Sequence, residues 1–178
     1  MEITVTEAKT EDVYAISDVQ KETWLATYPN EAAGITREDI LSEDFRSPGR
    51  IEKRIKIIND PESNTKFFVA KSGEKVIGYC CAQKLEDSNK LRSLYVLPTF
   101  QGKGTGKKLI EMAFDFMDSS KPIKLTVATY NENAIVFYEK LGFKKGQVLK
   151  ENPEGHFASG REIPEMEMTK ESSSNIAH

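Results

Sequence analysis

The stretch QGKGTG, residues Gln101–Gly106, places three glycines at alternate positions directly before Lys107 and Lys108. Glycines allow backbone N–H groups to turn toward a ligand without a side-chain clash. A helix that starts here would add unpaired N–H donors and a partial positive charge, and the lysines have the same sign. The pattern therefore favours a bound phosphate. On the loop alone, a tight turn beside solvated lysines stays open as the alternative.

Two well-known phosphate-binding patterns do not fit this loop. A Walker A loop needs glycine five residues before the glycine that precedes its lysine, and Gln101 occupies that position. A dinucleotide fingerprint, Gly-x-Gly-x-x-Gly, ends on Lys107 when it starts at Gly102 and on Leu109 when it starts at Gly104. Nucleotide cleavage and hydride transfer therefore lose their main support. A nucleotide-binding protein stays open only as a weakened alternative.

A second segment, TVATYNENAIVFYEKLGF from Thr126 to Phe143, follows the loop in the chain. Together with YVLPTFQGKGTGKKL, Tyr95–Leu109, it closely resembles the GNAT superfamily of N-acetyltransferases. The loop pattern of that superfamily, Gln/Arg-x-x-Gly-x-Gly/Ala, is matched by Gln101, Gly104 and Gly106. Its later pattern is matched by Asn131, Ala134, Phe137, Tyr138, Gly142 and Phe143. Two such segments in order are a stronger signal than the glycine loop alone.

The elements that must position these segments are read from hydrophobic periodicity and turn residues. Strands are predicted at 3–5, 66–71, 76–83, 91–97 and 124–130, with two late strands near 147–150 and 164–169. Helices are predicted at 13–23, after a capping box of Thr36 and Asp39, at 51–58, from Lys107 onward and from Asn133 to Leu141. This order predicts an α/β (or α+β) domain with a mixed sheet.

The length of 178 residues and the 38% of hydrophobic residues suit one globular domain. The resemblance implies a single GNAT-like domain over residues 1–170, with a central, mostly antiparallel mixed sheet flanked by helices. Coenzyme A would bind at a splay between two central strands. The polar tail 171–178 is expected to be disordered.

The resemblance implies acetyl-CoA as the co-substrate, whose pyrophosphate the loop would hold without cleaving it. The backbone of Leu94, Tyr95 and Val96 would pair with the pantetheine arm, and one of their N–H groups would stabilise the oxyanion. The residues expected to bind the pyrophosphate are Gln101, Gly102, Lys103, Gly104, Thr105, Gly106 and Lys107. Asn131 would contact the cofactor, and Asn133 and Lys140 are weaker candidates on the same segment.

Tyr138 is the candidate for chemistry, because a tyrosine hydroxyl with a pKa of about 10 can protonate the departing thiolate of CoA. The alternative is that Tyr138 only packs beside Phe137. The residue that removes the proton of the amine is not identified. The strand before the loop has no carboxylate that could act as the base, and Glu22, Glu86 and Asp87 are interpreted as surface charges. A chain of water molecules that carries the proton to bulk solvent is an equal alternative to a side-chain base.

The acceptor side is expected, from the resemblance, at Glu22–Asn30 and at the late loop Asn152–Pro164. Trp24 and Tyr28 would contact the acceptor, with core packing as the alternative for Trp24. His156 and Arg161 in the late loop would meet a substrate carboxylate or remain exposed charges. The surrounding acidic residues, Glu22, Glu31, Asp39 and Glu43, would suit a cationic amine such as a polyamine. A protein or peptide amine, an antibiotic amine and a catalytically weak CoA-binding sensor stay open.

Composition limits which other ligands and partners are expected. The formal net charge of −3 argues against nucleic acid, and no apolar run is long enough for a membrane span. The only histidines, His156 and His178, lie far apart, and Cys80 and Cys81 are adjacent, so neither a metal nor a disulfide is expected. A cytoplasmic location is the default expectation, and a homodimer is weakly favoured from the resemblance.

Overall fold

The computed structural model describes residues 2–150 and 157–172. The strands are β1 (Ile3–Glu7), β2 (Thr65–Ser72), β3 (Lys75–Lys84), β4 (Asn89–Val96), β5 (Ile123–Ala128), β6 (Lys144–Val148) and β7 (Glu165–Lys170). The α-helices are α1 (Val13–Thr27), α2 (Arg37–Leu41), α3 (Pro48–Asn59), α4 (Thr105–Phe116) and α5 (Glu132–Lys140). Within the described ranges, no helix combines the length and the apolar character that crossing a membrane requires. The predictions for His156, and for the tail from Ser173, lie outside the described residues.

The first of two compact units contains the residues up to Thr23 and Asp44–Asp118. Its strands follow the order β1-β2-β3-β4, and all neighbours are antiparallel. Helix α4 covers one face of this sheet, where the Cys80 thiol donates to the Leu109 carbonyl at 3.3 Å. The ring of Phe68 meets that of Phe116 on the same face, with centroids 6.3 Å apart. The glycine loop is therefore continuous with a helix that is packed firmly onto the sheet.

The opposite face of this sheet carries Tyr79, on which Arg54 of α3 acts electrostatically. Arg54 on α3 donates from Nη1 to the Ser17 hydroxyl at 2.5 Å and from Nη2 to the Gln20 side-chain oxygen at 2.6 Å. These bonds join α3 to α1. At the start of β4, the fully buried Asn89 exchanges two hydrogen bonds with the backbone of Asp118, at 2.8 and 3.0 Å. Asn89 thereby ties β4 to the residues that follow α4.

The strand pair β3–β4 contains a bulge. Ser93 lies opposite Cys81, but the next residue of β3, Ala82, lies opposite Leu91. Arg92 is the extra residue between them. Because alternate residues of a strand face opposite sides, the bulge places Leu91 on the α4 face and Ser93 on the face that carries Tyr79.

The second unit contains Trp24–Glu43 and the residues from Ser119 onward. Its strands follow the order β5-β7-β6, again with antiparallel neighbours. Helix α5 ends as expected at Gly142, which has φ of 90°, and Lys170 Nζ donates to the Leu141 carbonyl at 2.6 Å. Both the helix stop and a basic group at the last carbonyls are typical C-terminal features of helices.

Most sequence-predicted elements are confirmed, including the hairpin of β2 and β3 and the capping box of α2. In that box the Asp39 N–H donates to the Thr36 hydroxyl, and the Asp39 carboxylate accepts from the Thr36 N–H. Several boundaries differ from the prediction: α1 continues to Thr27 instead of ending at residue 23, and α3 begins at Pro48 instead of residue 51. Helix α4 begins at Thr105, two residues before the expected Lys107, and β6 covers Lys144–Val148 instead of 147–150. Every residue of β6 is exposed, so its side chains carry no strand pattern, and backbone pairing with β7 defines it.

Candidate active site

The glycine loop has the backbone geometry that the spacing of its glycines predicts. Gly102 has φ of 72° and Gly104 has φ of 79°, in the left-handed region that favours glycine. Gly104 is also the N-cap residue of α4, and no side chain of the described residues caps that helix end. The positive end of a twelve-residue helix therefore opens onto the loop.

The backbone donors of the loop are available as a group. Among the described residues, none accepts a hydrogen bond from the N–H groups of residues 102–107. The first hydrogen bonds on either side run from the Gln101 N–H to the Pro98 carbonyl and from the Lys108 N–H to the Gly104 carbonyl. Six consecutive unpaired donors at a helix start form an anion site in the chemical sense.

Side chains of the loop brace its shape. Gln101 Nε2 donates to the Val96 carbonyl at 2.9 Å, which closes the loop onto the end of β4. The Thr105 hydroxyl donates to the Phe100 carbonyl at 3.3 Å, and Thr105 is only 1% exposed. The side chains of Gln101 and Thr105 thus act on the backbone. Because the Gln101 N–H donates to the Pro98 carbonyl, only Thr105 of the two leaves its N–H for a ligand.

The loop lysines contact the protein as well as solvent. Lys103 Nζ donates to the Thr99 carbonyl at 2.9 Å and lies 5.3 Å from the centroid of the Phe100 ring. Lys107 Nζ is 3.9 Å from a carboxylate oxygen of Glu111, and Lys108 Nζ donates to the Ile3 carbonyl at 3.2 Å. Their positive charge supports an anion at the loop, but the unpaired backbone donors are the more specific feature.

The strand segment Leu94–Val96 precedes this loop on β4, and Leu94 and Tyr95 are half-buried. Leu94 pairs with Cys80 on the α4 face, whereas Tyr95 pairs with Tyr79 on the other face. Gly78 lies opposite Val96, and a Cβ there would come within 2.8 Å of the Tyr95 carbonyl oxygen. Glycine is therefore required where β3 approaches this segment closely.

In the second unit, Asn131 and Tyr138 lie at the start and near the end of α5. Asn131 Oδ1 accepts from the Ala134 N–H at 3.2 Å and caps the helix. Tyr138 is 8% exposed, and its ring meets the rings of Phe137 and Phe143 edge-on at 5.4 and 5.6 Å. Asn133 and Lys140 are exposed on the same helix. The packing alternative for Tyr138 is thus present in the structure, and its acid role stays a prediction.

The expected acceptor residues Trp24 and Tyr28 belong to an aromatic cluster. The Trp24 ring meets the Tyr28 ring at 5.2 Å and the Phe157 ring at 5.9 Å, both edge-on. The Tyr130 hydroxyl donates to the Tyr28 carbonyl at 2.8 Å. Burial and the nearby Glu165 carboxylate raise the pKa of Tyr130 to about 12, so this donor keeps its proton at neutral pH.

Two acidic residues expected to attract a cationic amine are engaged by a turn that begins at Phe157. The Ala158 N–H donates to Glu43 Oε1 at 2.6 Å, and Arg161 Nε lies 3.5 Å from Asp39 Oδ1. The pKa of Asp39 is lowered, chiefly by the hydrogen bond from the Thr36 backbone and further by Ser159 and Arg161. Asp39 and Glu43 therefore stabilise this turn, Asp39 through Arg161 and Glu43 through the Ala158 N–H.

A partly open cavity of about 260 Å³ lies in the second unit. Its lining mixes apolar and charged side chains, namely Ala33, Leu149, Lys150, Glu162, Ile163, Pro164 and Glu165. The other two acidic candidates, Glu22 and Glu31, are exposed. A mixed lining of this kind is chemically suited to an alkyl amine.

The remaining base candidates Glu86 and Asp87 are also exposed, in the turn between β3 and β4. Sequence reasoning missed a different polar pair, Ser93 and Tyr79, which share a side-chain hydrogen bond on one face of β3–β4. Nothing in the local pattern indicates this pair, because the bulge at Arg92 determines the face of Ser93.

The cysteines are unsuited as nucleophiles, since both are buried, and burial raises the pKa of the Cys81 thiol to about 12.

Comparison with known proteins identifies the class of this chain. The family described as acetyltransferase (GNAT) domain matches residues 63–145, which include the glycine loop and the Asn131–Phe143 segment. An uncharacterized N-acetyltransferase of Chlorobaculum tepidum is 32% identical over 117 residues, covering 65% of this chain and 70% of that protein. The chain belongs to the GNAT family of N-acetyltransferases. It is therefore an acetyl-CoA-dependent N-acetyltransferase, and the enzyme class and co-substrate expected from the sequence are confirmed.

Among individual relatives, a spermidine N(1)-acetyltransferase of Thermoplasma acidophilum is 27% identical over 148 residues, covering 81% of this chain and 89% of that protein. An uncharacterized N-acetyltransferase of Methanocaldococcus jannaschii is 30% identical over 93 residues, and the chain covers only 41% of its length. The crystal structure of the PaiA N-acetyltransferase of Thermoplasma acidophilum in complex with coenzyme A matches with a TM-score of 0.75. It is 24% identical and covers 96% of this chain and 99% of that one, which confirms the predicted fold class.

Proposed function

We propose that this enzyme transfers the acetyl group of acetyl-CoA to a primary amine of a small cationic molecule, such as a polyamine, by direct attack in a ternary complex. The observation that carries the cofactor part is the row of unpaired N–H donors from residue 102 to residue 107 at the start of α4. Two phosphate groups offer acceptor oxygens to such a row. The loop holds the CoA pyrophosphate and has no role in cleaving it.

The pantetheine arm would continue from the loop along β4. In this proposal the backbone of Leu94–Val96 pairs with the arm as one strand pairs with another, and one N–H group there donates to the thioester oxygen. An oxyanion donor of this kind contributes about 10²–10³ in rate. Asn131 adds a side-chain contact from the start of α5, with Asn133 and Lys140 as further candidates on that helix.

Tyr138 is the proposed acid. The neutral amine attacks the thioester carbon, the C–S bond breaks, and the thiolate takes the proton of the Tyr138 hydroxyl. When the amide forms, the nitrogen releases a proton, and solvent returns a proton to the Tyr138 hydroxyl. The edge-on rings around Tyr138 would hold its hydroxyl in one direction, which supports the assignment because a general acid must be positioned.

The acceptor class is supported by the similarity to a spermidine acetyltransferase over 89% of that protein's length. It is also supported by the cavity whose lining combines Glu162 and Glu165 with one cation, Lys150, and apolar neighbours, so that the carboxylates outnumber the cation. Trp24 and Tyr28 would line the acceptor side through the aromatic cluster. A protein or peptide amine is the alternative acceptor, and a CoA-binding sensor is the alternative without turnover.

The test is free-thiol release from acetyl-CoA across polyamines, amino acids, a lysine peptide and an aminoglycoside, with Tyr138→Phe alongside. We expect turnover to be selective for polyamines and to fall about 100-fold in kcat in the variant, with the KM for acetyl-CoA unchanged. Tyr14→Phe is the matched control, because Tyr14 is 53% exposed and loses the same hydroxyl.

The other results separate the alternatives. Selectivity for the lysine peptide would indicate that the acceptor is a protein amine instead of a small molecule. Unchanged kcat in Tyr138→Phe would keep the enzyme and remove the acid. Tight acetyl-CoA binding without turnover on any amine would favour the sensor.

A further inference from the structure

Ser93 occupies a position on β4 that local sequence does not predict. It directly precedes Leu94–Val96, the segment proposed above for the pantetheine arm, and it is half-buried. The bulge at Arg92 places Ser93 on the same face of the sheet as Tyr95 and Tyr79. Bulges recur next to active sites, where they redirect a side chain.

Tyr79 orients the Ser93 side chain. The two hydroxyls share a hydrogen bond, and Tyr79 is only 1% exposed. The Tyr79 ring lies 5.5 Å from the Tyr95 ring and 6.4 Å from the Phe67 ring, so its orientation is fixed by packing. Burial raises the pKa of Tyr79, which keeps it a neutral hydroxyl.

A positive charge also lies near this pair. The Arg54 guanidinium acts electrostatically on Tyr79 and is held by Ser17 and Gln20. A nearby cation disfavours any further positive charge. A proton that reached the Ser93–Tyr79 pair would therefore pass on to solvent instead of remaining there.

The reaction requires a route by which a proton of the acceptor amine reaches solvent. A primary amine with a pKa of about 10 is almost fully protonated at neutral pH, and only its neutral form attacks the thioester. The described part of β4 offers no carboxylate, since its sequence is Asn-Lys-Leu-Arg-Ser-Leu-Tyr-Val. The candidate carboxylates Glu22, Glu86 and Asp87 are solvent-exposed.

We propose that Ser93, held in place by Tyr79, relays the proton of the acceptor ammonium group to solvent water. This inference rests on the function proposed above. The ammonium N–H bond breaks as its proton moves to Ser93 Oγ, while the proton of Ser93 moves to a water molecule. The neutral amine then attacks, and the relay releases the one net proton of the reaction, R–NH₃⁺ + acetyl-CoA → amide + CoA–SH + H⁺.

The experiment measures kcat/KM for spermidine as a function of pH in the full chain, with Ser93→Ala and Ser93→Thr. We expect Ser93→Ala to lose about 100-fold near pH 7. That loss should shrink toward about pH 10, where the amine is already neutral. Ser93→Thr keeps the hydroxyl and should keep the wild-type profile. Tyr79→Phe should show a smaller loss with the same dependence on pH.

Cys81→Ala is the matched control, because Cys81 is buried and lies directly opposite Ser93 on the same face of the sheet. It changes the packing of this face but keeps the pair of hydroxyls. We expect any loss in this variant to be equal at all pH values. The Kd for acetyl-CoA, measured in parallel, should be unchanged in all four variants.

Two results would overturn the relay while leaving the proposed function intact. One is a Ser93→Ala loss of the same factor at every pH, as a structural role predicts. The other is a Ser93→Ala profile that superimposes on that of the wild type. If the wild type turns over no amine although it binds acetyl-CoA, the proposed function fails first, and the relay fails with it.

Discussion

The glycine loop Gln101–Gly106 and the turn Phe157–Arg161 share a backbone feature but differ in what satisfies their N–H groups. Gly104 and Gly160 have φ of 79° and 82°, and nothing lies within 4 Å of a Cβ built on either. In the loop, no described residue accepts from the N–H groups of residues 102–107. In the turn, Glu43 accepts from the Ala158 N–H. A glycine turn can therefore bind an anion only where the protein leaves its donors unpaired.

The largest expected effect tests this comparison directly with Gly104→Ala and Gly160→Ala. Each alanine adopts positive φ at a cost of about 1–2 kcal/mol, so both variants should lose similar stability in urea unfolding. Only Gly104→Ala should also weaken CoA binding, by about tenfold in Kd measured by calorimetry. Equal CoA affinity in the two variants would contradict the assignment of the loop as the pyrophosphate site.

A second variant removes the acceptor that closes the turn. Glu43→Ala deletes the carboxylate that the Ala158 N–H contacts at 2.6 Å. We expect a loss of about 1 kcal/mol in the free energy of unfolding, because the bond is charge-assisted but solvent-exposed. Glu43→Gln, which keeps an acceptor oxygen, should recover part of it. A changed Kd for CoA in Glu43→Ala would show that the turn does not act separately from the loop.

A third variant asks how much the charge of the loop adds to its backbone donors. Lys107→Ala should raise the Kd for CoA about threefold at low salt, and the difference should vanish at high salt because the lysine is exposed. Lys75→Ala, an exposed lysine at the start of β3, is the control. A loss as large as that of Gly104→Ala would mean that lysine charge, and not the backbone, dominates pyrophosphate binding.

The smallest effect concerns the acid stability of the turn. The pKa of Asp39 is lowered, first by the Thr36 backbone hydrogen bond, so its contribution is present above the unfolded pKa of about 4 and is lost as pH falls below it. Urea unfolding at a series of acidic pH values should therefore show a shallower decline for Asp39→Asn than for the wild type. Parallel declines would remove Asp39 from the contacts that stabilise the turn.

Local patterns predicted the parts of the site that depend on neighbours in the chain. The glycine spacing gave Gly102 and Gly104 at positive φ, and the capping box of Thr36 and Asp39 formed as expected. Gly142 ended α5 for the same kind of reason. Each of these features depends on contacts within about four residues, which the sequence displays directly.

Other predictions could not be made from local patterns. Asp39 and Glu43 were expected to form an acidic field for a cationic acceptor, but Arg161 and the Ala158 N–H, more than a hundred residues away, are their partners. The edge strand β6 was misplaced because its exposed residues carry no alternation. A charged residue reads the same in sequence whether it is solvated or paired, and only the folded chain brings its partner near.

The sequence by itself determined the family, the glycine loop that opens α4 and the position of Tyr138 on α5, because motif spacing and helix signals are properties of short segments. Tertiary structure alone decided which face of β4 carries Ser93. The bulge at Arg92 arises from the register between β3 and β4, and a shift of one residue reverses the direction of every side chain beyond it. That register is set by packing on both faces of the sheet, a long-range property that no short segment encodes.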